Sequence, residues 1–197
     1  LDEIRHGQIQ IFFAYEFLKH DAVFDWCHKS SKTENWIPIS LRHALDDIAH
    51  TRDATSSSIM LNMGLEQSFT NLQFVALSAD AAKFGDHTFA TMLQSVQTDE
   101  ARHAQIGEPL VRIMVENGRK EEAQKLVDIG FWRMWKQFSV LSGIGMDYYT
   151  PLECREFSLK EFMEEWVIGQ FGRTLVALGL ELPWYWDILH EEIGTFH

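Results

Sequence analysis

Apolar residues recur along most of this chain at intervals of three and four, as in Ile4, Ile11, Phe12 and Tyr15, or in Leu61, Leu65, Phe69 and Leu72. That spacing lines one face of a helix. Only four prolines interrupt it, Pro38, Pro109, Pro151 and Pro183. The pattern predicts an almost wholly helical protein. One helix runs from the start to about residue 28, a second over 37–50 and a long third over 53–84. Gly85 stops the third, Asp86 caps a fourth, and Gly118 in the polar stretch "NGRKEE" ends that one near residue 117. A further helix suits 121–142, and "GIGMDYYTPLE" reads as a loop. Ser158 and Glu161 then form a capping box, in which each side chain satisfies the other's exposed backbone N–H at a helix start. The tail "ELPWYWDILHEEIGTFH" is aromatic and is expected to pack on other elements.

Composition narrows the class. With 197 residues, 46% hydrophobic and 13% aromatic, the chain can bury a sizeable core. A single all-α domain over 1–197 is expected, with bundle helices in 1–117 and a helical extension in 118–197. Residue 1 is Leu and a motif begins at once, so a truncated N-terminus is also expected. A formal net charge of −12 argues against nucleic acid or an anionic membrane surface as partner, since both call for a basic face. Cys27 and Cys154 stand far apart and in no metal-type pair, which suits a reducing compartment such as the cytoplasm. No run of eighteen apolar residues suggests a membrane span. Trp132, Trp135, Trp166, Trp184 and Trp186 suit either core or an interface.

One motif occurs twice. "LDEIRHGQ" at 1–8 and "TDEARHAQ" at 98–105 share Asp-Glu-x-Arg-His-x-Gln, a coincidence expected less than roughly once in a hundred such chains. On a helix, Glu3 and His6 project from one face, as do Glu100 and His103. A lone Glu-x-x-His is usually a solvated surface pair; two copies in long helices ask for a paired function. Ferritin-like di-iron and di-manganese carboxylate proteins take such a motif from each of two helices and a lone Glu from each of two others.

Glu66 supplies one lone Glu. Its surroundings, "SIMLNMGLEQSFTNLQFVAL", are otherwise nearly free of charge, and a buried carboxylate is costly unless a cation sits against it. The other lone Glu would precede residue 1. Oxygen and nitrogen donors without thiolate suit iron or manganese better than structural zinc. Asp2, Arg5, Asp99 and Arg102 flank the ligand positions and are expected to orient the histidines and carboxylates.

With these residues in place, the chain closely resembles the hydroxylase alpha subunit of bacterial multicomponent di-iron monooxygenases, the toluene branch in particular. The likeness extends over "SFTNLQF", "GDHTFA", "QTDEARHAQ", "MDYYTPLE", "EFMEEWVIGQF" and "PWYWD". It implies two iron ions, one served by Glu3 and His6 and the other by Glu66, Glu100 and His103, with Glu3 bridging and Glu100 able to shift. It further implies that Thr70 helps deliver protons during O2 activation, that Asn71 and Gln97 respond to a docked regulatory protein, and that Leu61, Leu65 and Phe74 line the substrate pocket. Leu65 departs from the bulky aromatic expected of the toluene enzymes. The implied partners are beta and gamma hydroxylase subunits, a Rieske-type ferredoxin, a reductase carrying FAD and an Fe–S centre and fed by NADH, and a small effector protein. One oxygen atom would enter an aromatic ring or alkene and the other would leave as water.

Phenol hydroxylases and alkene or isoprene monooxygenases are close alternatives within that superfamily. Iron storage in a ferritin-like shell fits poorly, because some eighty aromatic-rich residues follow the second motif. A ribonucleotide reductase small subunit would need an oxidisable tyrosine near His6, where Gln10 stands, with Tyr15 the nearest candidate.

Overall fold

A computed structural model describes residues 1–21, 29, 32–143, 151–155 and 158–193, with the side chains at 17, 37, 68–73, 136–143, 154, 159 and 192–193 excepted. Every regular element among them is helical. The chain forms two compact units, residues 1–45 and 46–197.

In the first unit, α1 (Asp2–Leu18) opens with Asp2 and Glu3 in its first turn, where negative charge suits the partial positive end of the helix dipole. It stops at Leu18, short of the expected residue 28. The polar run Lys19-His20-Asp21 breaks the apolar spacing there, and the apolar residues at 22–28 that suggested continuation lie outside the described residues. The unit boundary falls inside α2 (Trp36–His50), which tolerates Pro38 because the first-turn N–H groups have no helical partner in any case.

In the second unit, α3 (Ala54–Ser58) is capped by Asp53, whose carboxylate accepts from the Thr55 and Ser56 N–H groups at 3.2 and 3.0 Å. The helix then changes winding. Over Ile59–Thr70 the backbone bonds run from i to i+5, the wide turn often found at functional sites, before ordinary winding resumes in α4 (Asn71–Phe84). The single helix expected over 53–84 is thus one continuous helical run with a widened middle. Gly85, at φ +91°, makes the turn, and Asp86 accepts from the Phe89 N–H at 2.9 Å to start α5 (His87–Glu116). Gly118, at φ +75°, separates α5 from α6 (Lys120–Gly143). Most of the expected loop, residues 144–150, lies outside the described residues.

The capping box at Ser158 forms as expected. The Ser158 N–H donates to Glu161 Oε2 at 2.8 Å, and the Glu161 N–H to Ser158 Oγ at 3.2 Å. It opens α7 (Leu159–Phe162), followed by a second wide stretch over Met163–Gly169, by α8 (Gln170–Ala177), and by α9 (Trp186–Ile193) beyond a turn at Gly179.

The wide segment Ile59–Thr70 packs against both α5 and α6. A Cβ at Gly107 on α5 would lie 2.8 Å from Met63 Cβ and 2.9 Å from Met63 N, and one at Gly130 on α6 would lie 3.2 Å from Met60 Cα. Only glycine admits backbones that close. The segment carrying Glu66 is therefore pinned on two sides by neighbours that leave it no slack.

Farther along α6 the core is aromatic. Phe131 stacks on Phe171 of α8 with ring centroids 4.4 Å apart, and Trp186 of α9 lies 5.6 Å away. Tyr185 donates its hydroxyl to the Asp128 carbonyl at 2.5 Å. Gln124 pairs with the Glu181 backbone through both halves of its amide, at 3.0 and 2.9 Å. Burial here raises the pKa of both the Asp128 carboxyl and the Tyr185 phenol. The described part of the tail packs on the helices through Tyr185, Trp186 and Leu189, and residues 194–197 lie outside the described residues. Trp135 and Trp186 are buried, whereas Trp132, Trp166 and Trp184 are exposed.

Candidate metal centre

The second copy of the motif occupies the middle of α5. Glu100 and His103, three residues apart, face the wide segment that carries Glu66. His103 Nδ1 lies 3.6 Å from Glu66 Oε1 and 3.7 Å from Glu100 Oε2. One ligand atom from each of the three residues falls within 4.8 Å of the others. The carboxylate side chains are 6% and 7% exposed and the imidazole 21%. Two carboxylates that close repel by about 4 kcal/mol at the effective dielectric of such sites. A divalent cation between them turns that repulsion into attraction and accepts the imidazole nitrogen as well. Oxygen and nitrogen donors without thiolate are the set that iron or manganese takes, so the residues present fit a metal ion.

Sequence reasoning missed a fourth participant. Asn62, one turn before Glu66 and buried, donates its Nδ2 to Glu66 Oε2 at 2.5 Å. The signal available was a lone amide four residues ahead of a lone carboxylate in an apolar stretch, which is a known helical pairing distance.

The first copy of the motif makes the same local pair on α1, with His6 Nδ1 3.5 Å from Glu3 Oε2. Here the imidazole is buried and the carboxylate 67% exposed. Of the four flanking residues, Asp99 is buried and is engaged by Arg102 one turn along α5, while Asp2 and Arg5 are half-buried on α1. Thr70 closes the wide segment and Asn71 opens α4, but the side chains of both lie outside the described ones. Gln97 lines a cavity of about 320 Å³ with Gln67, Gln105, Glu108, Trp166 and Gln170. Leu65 is buried beside Glu66, and Leu61 and Phe74 are half-buried.

A helical frame around a carboxylate-rich cluster fits a metal-binding protein, and comparison with known proteins narrows the class. Residues 1–118 match the family model for methane, phenol and alkene hydroxylases. The chain belongs to that family, whose members are carboxylate-bridged di-iron hydroxylases. It is 41% identical, over all 197 residues, to the oxygenase component subunit alpha of the alkene monooxygenase system of Xanthobacter autotrophicus strain Py2, covering 39% of that protein. It is 28% identical to the oxygenase component DmpN of phenol 2-monooxygenase from Pseudomonas sp. strain CF600, covering 38%. The crystal structure of xenon-pressurised phenol hydroxylase from Pseudomonas sp. OX1 superposes with a TM-score of 0.84 at 26% identity, over 99% of this chain and 40% of that one. The chain thus spans about two fifths of the length of these relatives. The likeness is to hydroxylase alpha subunits, with a ferritin-like helical fold, as the motifs implied. Among the described residues no helix is long and apolar enough to cross a membrane.

Proposed function

We propose that this chain is the metal-bearing part of a multicomponent monooxygenase that inserts one atom of O2 into a small neutral hydrocarbon. The observation that carries the reading is the convergence of the half-buried His103 on the buried carboxylates of Glu66 and Glu100. In this reading those three hold one iron, and Glu3 and His6 serve the other within a single di-iron domain. Bound iron supplies reducing electrons and the site of O2 binding. The chain's own residues do the rest. Glu66 and Glu100 balance positive charge, Leu61, Leu65 and Phe74 present an apolar wall, and burial keeps bulk water from the reacting carbon. Thr70 holds a proton one turn from Glu66, Asn71 and Gln97 answer a docked effector protein, and Asp2, Arg5, Asp99 and Arg102 steady the ligands. Electrons come from NADH through a flavin and iron–sulfur reductase and a Rieske-type ferredoxin. Beta and gamma subunits complete the hydroxylase in the cytoplasm.

For the substrate class, the 41% identity to an alkene monooxygenase subunit favours epoxidation of a short alkene. Leu65 in place of an aromatic side chain is consistent with this. Hydroxylation of toluene, benzene or phenol is the second reading, supported by the aromatic-branch motifs and by the phenol hydroxylase likeness. The test is the protein expressed from its full gene with partner subunits and electron supply, given propene, isoprene, toluene and phenol under labelled O2. Label is expected in epoxide product faster than in ring-hydroxylated product. Faster ring hydroxylation would favour the aromatic reading, and no label in any product would overturn the oxygenase assignment.

A further inference from the structure

The two oxygens of Glu66 face different neighbours. Oε1 looks towards His103 Nδ1 at 3.6 Å, and Oε2 receives the Asn62 amide at 2.5 Å. Both side chains are buried, Asn62 to 7% and Glu66 to 4% exposure. Facing a carboxylate, Asn62 can present only its NH2, since its own carbonyl oxygen would repel. The pair is set by the wide segment that carries both residues, and that segment is itself held by the close approaches at Gly107 and Gly130.

We infer that Asn62 is a positioning residue that keeps Glu66 a one-oxygen ligand. By occupying Oε2, the amide leaves Oε1 alone to turn towards His103 and Glu100. A neutral donor suits this task better than Lys or Arg, because it orients the carboxylate without cancelling the negative charge that a metal ion needs. Without it, Oε2 would be free to turn towards the same ion as Oε1, and Glu66 would bind through both oxygens. The inference rests on the reading that Glu66, Glu100 and His103 hold iron.

The test compares wild type, Asn62→Leu, Asn62→Ser and Asn62→Gln in the protein from the full gene with its partner subunits, loaded anaerobically with ferrous iron. The readouts are iron per chain, iron dissociation rate and the splitting of the carboxylate stretching bands in the infrared. Wild type is expected to hold iron and show the wide splitting of a one-oxygen carboxylate. Asn62→Leu fills the space without a donor, and Asn62→Ser keeps a hydroxyl too short to reach. Both should narrow the splitting and change iron retention by about tenfold, with Asn62→Gln nearer to wild type. If Asn62→Leu fails to fold, Asn62→Ser answers the same question. Wild-type splitting and retention in the foldable donor-free variant would overturn the inference while leaving the iron reading intact. Failure of wild type itself to take up iron would overturn both.

Discussion

Two buried regions of the second unit are made from opposite materials. Around Glu66, Glu100 and His103 the interior collects like charges and an amide. Around Phe131, Phe171, Tyr185 and Trp186 it collects stacked rings and one well-placed hydroxyl. The aromatic region gains free energy by leaving water. The carboxylate region loses free energy by doing so unless a cation joins it. Helix α6 packs on the wide segment through Gly130 and on α8 through Phe131, consecutive residues of one helix. The lesson is that the same helical frame holds one cluster that stabilises the fold and another that the fold must hold in place.

That contrast can be broken at either end. The largest effect expected is from Glu100→Ala, which should lower iron per folded chain at least tenfold. The metal-free protein should be no less heat-stable than wild type, because one of two neighbouring carboxylates has gone; metal analysis and a thermal melt check both. Phe131→Ala should do the reverse. It empties a fully buried ring site at a cost of about 3–5 kcal/mol, so the melting midpoint should drop by roughly 10 °C while iron per folded chain holds. Gly107→Ala lies between the regions in kind. Its new methyl group meets Met63 backbone and Cβ below 3 Å, so it should destabilise by about 1–3 kcal/mol and also disturb the segment that carries Glu66. A melt and an iron titration on the same sample would show both. The smallest effect is that of Tyr185→Phe, which removes the hydrogen bond to the Asp128 carbonyl at a cost of about 1 kcal/mol, some 2–4 °C in the melt, with no change in iron.

Much of this is legible in the sequence, for reasons that differ by residue. Gly85 with Asp86, Gly118, and Ser158 with Glu161 announce helix ends because local backbone chemistry alone decides them. Glu66 stood out because an isolated carboxylate in an apolar stretch needs a reason, and Glu100 with His103 because helical spacing puts them on one face. The widened winding of Ile59–Thr70 was not legible, since apolar intervals of three and four do not distinguish a turn closed at i+4 from one closed at i+5. The end of α1 at Leu18 is hidden in the sequence because apolar residues resume beyond Asp21. The Asn62 contact depends on that winding and on burial, so spacing alone would not have raised it above an ordinary helical neighbour. Conversely, the two Asp-Glu-x-Arg-His copies read identically, yet Glu3 is largely exposed and Glu100 is not. Burial depends on what packs around a turn, which the motif's own letters do not encode.

The most direct test is a crystal structure of the protein from its full gene, grown with ferrous iron and measured on both sides of the iron absorption edge. An anomalous peak is expected within bonding distance of Glu66, Glu100 and His103 together, with a second peak beside it. A peak bound elsewhere, or none in crystals of iron-loaded protein, would contradict the assignment of this cluster as the metal centre.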